Sequence, residues 1–144
     1  MVNSLSTTET VSKLTRGFYP RNVAVVGAAR HNEFRWLKAH LPIRENKGDV
    51  FHVNLDENEW PGAEALDVKN FRSLLDIPEP IDYVSVSVPR KAVPFVIQDC
   101  IKKNVAVVHV FTAGFEESGE EEGVLLDHQI SEMARQAGLL IIGP

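Results

Sequence analysis

Cysteine is almost missing from this chain: Cys100 is the single one in 144 residues. A disulfide framework within the chain is therefore excluded, which suits a reducing compartment and makes the cytoplasm the expected location. Long apolar runs are missing too; none approaches the roughly 20 residues of a membrane helix. The segment Met1–Thr10 is polar and lacks the apolar centre of a secretion signal. A basic excess is absent, and the formal net charge of -5 argues against a nucleic-acid partner. A local basic patch can still hold a small phosphorylated ligand. The histidines His31, His40, His52, His109 and His128 show no metal-ligand spacing. Nucleophilic arrangements are equally poor. Cys100 falls on the apolar face of an expected helix, where a packed thiol is the better reading. Ser85 and Ser87 alternate with valines and read as strand residues covered by a helix. No catalytic residue is assigned.

What is present is an ordinary globular composition, 44% hydrophobic and 24% charged. The length suffices for one domain with a sizeable core. Ser6-Thr7-Thr8-Glu9 has capping-box spacing, so a short lead-in helix is expected, with Val11 and Leu14 on one face. Val23–Val26 is a continuous apolar run, as in a parallel strand covered on both faces. Asn32 is an expected N-cap for a helix starting near Glu33 and limited by Pro42. Asp49–Asn54 reads as a second strand, 56–62 as a loop punctuated by Trp60-Pro61-Gly62, and Val68–Leu75 as a short helix. Ile81–Val88 is a strand ended by Pro89. Val93, Val96, Ile97, Cys100 and Ile101 have helical spacing, with Pro94 in the first turn and Asn104 at the stop. Val105–Thr112 is a further strand. Leu126, Ile130, Met133, Ala134 and Ala137 mark a last helix stopped by Gly138, before a final strand at 139–142. Strands alternating with helices predict an α/β fold: a Rossmann-like, doubly wound, mainly parallel sheet with helices on both faces. Residues 1–144 read as one domain, with 1–18 as a lead-in.

In such a sheet, ligands bind at the carboxyl ends of the strands, where strand order reverses. The loop after the first strand is Gly27-Ala28-Ala29-Arg30-His31-Asn32. Gly27 allows a sharp turn, the alanines keep the backbone reachable, and Arg30, His31 and Asn32 offer charge and hydrogen bonds to a phosphate. A plain tight turn with a solvated arginine is the rival reading. A dinucleotide fingerprint needs glycines at 27, 29 and 32, and only Gly27 is there; Asn54 stands where a ribose-binding acid belongs, with Asp56 two residues on. An NAD-binding domain of an oxidoreductase or redox sensor is thus an alternative with a poor signal. Val88-Pro89-Arg90-Lys91 sets two cations at a helix start, either as phosphate contacts or as exposed basic residues.

Taken in order, Tyr19–Ala28, Val53-Asn54, Ile77-Pro78-Glu79-Pro80-Ile81-Asp82, Val86-Ser87-Val88-Pro89, Thr112-Ala113-Gly114-Phe115-Glu116-Glu117 and Ile141-Ile142-Gly143-Pro144 form a series. Each motif is short, but the series runs from Phe18 to the end. It resembles the CoA-binding domain of the NDP-forming acyl-CoA synthetases, which include ADP-forming acetyl-CoA synthetase and the alpha subunit of succinyl-CoA synthetase. The resemblance implies a Rossmann-like domain that binds coenzyme A or an acyl-CoA. It places CoA-binding residues at Gly27, Ala28, Ala29, Arg30, His31 and Asn32, at Asn54, at Val88, Pro89 and Arg90, and at Phe111, Thr112, Ala113 and Gly114.

The chain departs from the family pattern in three places. Ala29 stands where serine is common. Leu55 replaces a proline, and Glu57 lies near the place of a lysine. The helix after the glycine turn lacks the usual glycines. In the family, Gly-Pro leads on to a second domain bearing the histidine that is phosphorylated in catalysis. The expectation is therefore an excised or isolated domain, a partner to other domains or subunits of a synthetase, that binds CoA and catalyses nothing alone. A regulatory or interaction domain that has lost its ligand is the remaining alternative; Arg30 or Phe111 filling the cleft would mark it.

Overall fold

The computed structural model describes residues 5–144, and positions 1–4 of the expected lead-in lie outside the described residues. Helix α1 (Thr7–Phe18) opens on the expected capping box: the Glu9 amide donates to Ser6 Oγ at 3.2 Å and the Ser6 amide to Glu9 Oε2 at 2.7 Å. Its packed face differs from the expected one. Val11 and Leu14 are exposed, and Gly17 is buried instead, because a Cβ there would lie 2.2 Å from Val107 Cγ2. The helix is tied down by Lys13, which donates to the Gly138 carbonyl, and by Arg16, 3.0 Å from Asp82.

Six strands follow: β1 (Asn22–Val26), β2 (Asp49–Val53), β3 (Lys69–Phe71), β4 (Tyr83–Val86), β5 (Val107–Val110) and β6 (Leu140–Ile142). They form one sheet in the order β3-β2-β1-β4-β5-β6, and every pairing is parallel. This is the expected doubly wound arrangement. The order reverses between β1 and β4, where Val26 lies level with Val53 on one side and Val86 on the other. Asp82 fixes the opposite end of this pair: its Oδ2 accepts from the Arg21 and Asn22 amides at 2.9 and 3.2 Å.

The period-2 alternation of the strands sorts the core into two layers. Ala24, Val26, Phe51, Val53, Val84, Val86, Val108 and Val110 point toward α4 (Val93–Lys102) and α5 (Glu121–Ala137). Val23, Val25 and Val50 face the other way, toward α2 (Arg35–His40) and α3 (Trp60–Glu64), with Phe34, Leu37 and Ala63. Cys100 is fully buried in the first layer, and burial pushes its thiol pKa far up, so it is a packed side chain.

Further local expectations are corrected. Residues 68–75 are not a helix: β3 pairs with β2, and a 3-10 turn at Leu74–Asp76 follows. Asp67, at φ 58°, breaks the chain direction, and Asn70 is drawn into the sheet by its bond to His52. The segment 56–62 is not simply a loop, since a 3-10 turn (Glu57–Glu59) runs into α3, with Pro61 in the first turn where its missing N–H is harmless. The helix after Gly27 starts at Arg35, not Glu33, because Glu33 and Phe34 both have positive φ, 56° and 52°. The β4 and β5 segments are shorter than expected, with their flanks in the strand-end loops.

Candidate functional site

Gly27 ends β1 at φ 94°, a region that disfavours any side chain. A Cβ there would also lie 2.3 Å from the Ser87 carbonyl oxygen and 2.9 Å from Val88 Cγ1. The β1 and β4 loops therefore touch backbone to backbone at the switch point. From Gly27 the chain turns toward the α2 side of the sheet.

That side is closed by polar contacts. Asn32 caps its own loop rather than a helix: Oδ1 accepts from the Ala29 amide at 3.0 Å, and Nδ2 donates to the Gly27 carbonyl at 3.1 Å. Ala28 and Ala29 are buried. The Ala28 carbonyl accepts from Asn54 Nδ2 at 3.1 Å and lies 2.9 Å from Nε2 of the fully buried His52, whose Nδ1 is 2.6 Å from Asn70 Oδ1. Glu59 takes the next donors. Its Oε2 accepts from the Arg30 amide at 2.8 Å and from Arg30 Nε at 3.3 Å, with the Glu59 side chain only 12% exposed. Of the predicted phosphate loop, the exposed side chains are thus Arg30, already paired, and His31.

On the α4 side of the same strand ends lies an open cleft of about 430 Å³. Its floor is Val26, Gly27, Val53 and Asn54; its walls include Leu74, Val88, Pro89, Ala92, Phe95 and Val96; Arg72, Ser73 and Asp99 add the polar groups. Apolar walls with a few polar groups are what an organic ligand with a planar or aliphatic body requires. Burial raises the Asp99 pKa, offset in part by Lys102 and a hydrogen bond with Ser73. Of the predicted residues, Gly27, Asn54, Val88 and Pro89 line this cleft.

The β4 and β5 loops are joined to each other. Thr112 Oγ1 donates to the Val88 carbonyl at 2.7 Å. Arg90 reaches the Gly114 carbonyl at 2.9 Å, Glu120 at 2.5 Å and Glu122 at 3.1 Å, and its bond to Glu120 chiefly raises its pKa. Glu117 accepts from the Gly114 and Phe115 amides, which lowers its own pKa. Ala113 is exposed at the tip. Phe111 stacks between Trp36 and His109, each ring centroid 3.9 Å away. The row continues through Tyr83, whose hydroxyl is 2.8 Å from His109 Nδ1, to His40, 5.4 Å from the Tyr83 ring. Burial pushes Tyr83 up to about 12 and lowers His109 and His40, the latter helped by His109. His109 is the sheet-face residue expected of it. Neither Arg30 nor Phe111 fills the cleft.

Sequence reasoning missed Arg72, Ser73, Ala92, Phe95 and Asp99 as lining residues, and Glu59 as the partner of Arg30. Arg72 and Ser73 could be found only by placing β3 correctly. Among the described residues no group of three or more histidine, cysteine or acidic side chains could hold a metal ion. Among them, too, no helix is long and apolar enough to cross a membrane.

The sequence matches the family described as CoA binding domain over residues 21–144. It is 33% identical over 138 residues to an ADP-forming acetate–CoA ligase II of Archaeoglobus fulgidus, covering 94% of this chain and 20% of that protein. It is 35% identical over 129 residues to the alpha subunit of an ADP-forming acetate–CoA ligase I of Pyrococcus furiosus, covering 88% of this chain and 28% of the subunit. The apo structure of the dinucleotide-forming acetyl-coenzyme A synthetase 1 of Ca. Korarchaeum cryptofilum superposes with a TM-score of 0.74 at 32% identity, over 91% of this chain and 27% of that one. The chain spans between a fifth and three-tenths of the length of these relatives.

Proposed function

The chain belongs to the CoA-binding domain family, and from that premise we propose that it binds coenzyme A or an acyl-CoA in the cleft between α4 and the ends of β1, β2 and β4. The observation that carries this reading is the cleft itself: apolar, open, and set at the switch point where a doubly wound sheet receives ligands. Gly27, Asn54, Val88 and Pro89 hold the nucleotide end. Arg30 and His31, with Asn32, Ala28 and Ala29 fixing their loop, stand at the diphosphate. Arg90, Phe111, Thr112, Ala113 and Gly114 border the path of the pantetheine arm.

The NAD reading loses ground on the geometry. Asn54 turns its amide to Ala28, and Asp56 Oδ1 accepts from the Asn58 amide and side chain at 3.0 and 2.9 Å, so neither is aimed at a ribose diol. The ligand-loss reading lacks the filled cleft it needs.

Residues 1–144 act as one CoA-binding unit, with 1–18 as its lead-in, within an ADP- or GDP-forming acid–thiol ligase. The chain by itself binds and does not catalyse; other domains or subunits supply the chemistry. A cytoplasmic location fits its one buried thiol. Calorimetry with CoA and NAD tests the binding claim. Saturable heat with CoA at one site, and weaker or no heat with NAD, is expected. A folded chain that gives no heat with CoA, or prefers NAD, contradicts it.

A further inference from the structure

The loop after β2 carries Asp56, Glu57 and Glu59 and no cation, with Leu55 exposed at its start. A phosphate near the end of β2 would meet only negative charge from that loop. The neighbouring strand alters this. Val53 and Phe71 are register partners, and the Asn54 amide donates to the Phe71 carbonyl at 3.0 Å. Arg72, the next residue, therefore emerges beside Asn54. It is the one cation among the residues lining the cleft. Its Nη1 lies 3.3 Å from Glu57 Oε1, with the two side chains 60% and 58% exposed. Asp99 lines the cleft as well, so Arg72 is the group there that offers an anion paired donors.

In doubly wound folds the ribose of a bound nucleotide sits at the end of β2, and an arginine near that point accommodates a phosphate carried on the ribose. A guanidinium suits a phosphomonoester because it offers paired donors in one plane. An ion pair as exposed as Arg72–Glu57 is held weakly and can be exchanged for a better anion.

We propose that Arg72 recognises a phosphomonoester on the adenosine ribose of the ligand, exchanging Glu57 for the phosphate on binding. The cation that this loop lacks is supplied from the loop after β3. This rests on the reading that the cleft holds a CoA-type nucleotide, and it adds which residue reads the ribose phosphate. Glu57 is the intramolecular anion that occupies Arg72 when the ligand is away. No bond is made or broken; the step is an exchange of ion partners.

The test is calorimetry on the 144-residue chain with CoA and dephospho-CoA, and with NADP and NAD alongside. In the unsubstituted chain CoA binds more tightly than dephospho-CoA. Arg72→Ala weakens CoA by about ten-fold, the value of one charge-assisted contact, and leaves dephospho-CoA within about two-fold. Glu57→Gln tightens CoA and leaves dephospho-CoA unmoved. Equal affinity for CoA and dephospho-CoA, or an Arg72→Ala effect that is absent or alike for both, overturns the assignment while the CoA reading stands. Discrimination by Arg72 between NADP and NAD, with no binding of CoA, keeps the ribose-phosphate contact and overturns the CoA reading. Binding of none of the four overturns both. Arg72 and Glu57 are surface side chains, and matched thermal melts of the variants show that the fold is unchanged.

Discussion

The two sides of the switch point are built from the same strand ends and have opposite characters. On the α2 side every turn of the β1 loop is tied: Asn32 to Gly27 and Ala29, Glu59 to Arg30, His52 and Asn54 to Ala28. On the α4 side valines, two leucines, a proline and a phenylalanine surround open space. The loop that looks most like a ligand cradle in the sequence is the one whose hydrogen bonds are already made. The difference teaches that a glycine turn marks a switch point without saying which side of the sheet the ligand enters. The tied loop holds Arg30 and His31 in place beside the cleft, and the neighbouring unfilled apolar surface is the proposed binding area.

Substitutions can break this comparison, beginning with its hinge. Gly27→Val forces a side chain into positive φ and against the Ser87 carbonyl. It is expected to cost about 3 kcal/mol or more, measured by urea unfolding, and to disturb both sides at once. His52→Ala attacks the tied side alone. It removes a buried ring and the partner of Ala28 and Asn70, for an expected loss of about 2–4 kcal/mol. Ala92→Trp attacks the open side alone. It fills the cleft from a partly exposed position and is expected to weaken CoA by about ten-fold or more with little change in melting temperature.

The smallest effect is a pH dependence from the aromatic row. Burial lowers the pKa of His109 and His40 below the ordinary histidine value of 6.5. The unfolded chain then takes up protons first as pH falls. Stability is therefore unaffected above that value and declines as pH drops below about 6.5, until the folded-state pKa is passed. Melting curves at pH 8 and pH 5.5 check the sign, and His109→Gln is expected to flatten the slope.

Most of the sheet was legible because β1, β2, β4 and β5 are valine-rich runs bounded by turn residues, and these act locally. Gly138, at φ 68°, closes α5 as its position foretells. The side of the cleft was hidden because it depends on partners distant in sequence. Glu59 meets Arg30 across 29 positions, and His52 meets Ala28 across 24. The late start of α2 was hidden for the same reason. No glycine announces the left-handed pair Glu33-Phe34, which is held because the Phe34 ring packs against Gly62 and lies 6.1 Å from His52. Residues 68–75 misled because Val68, Phe71 and Leu75 mimic helical spacing, while strand pairing with β2 decides the outcome. Arg72 was lost with that misreading.

Methyl-labelled NMR during a CoA titration tests the central claim most directly. Saturable shifts are expected at Val26, Val53, Leu74, Val88 and Val96, with Val23, Val25 and Leu37 on the other side of the sheet unmoved. Shifts confined to that other side, or none at a concentration that saturates the calorimetric signal, would contradict it.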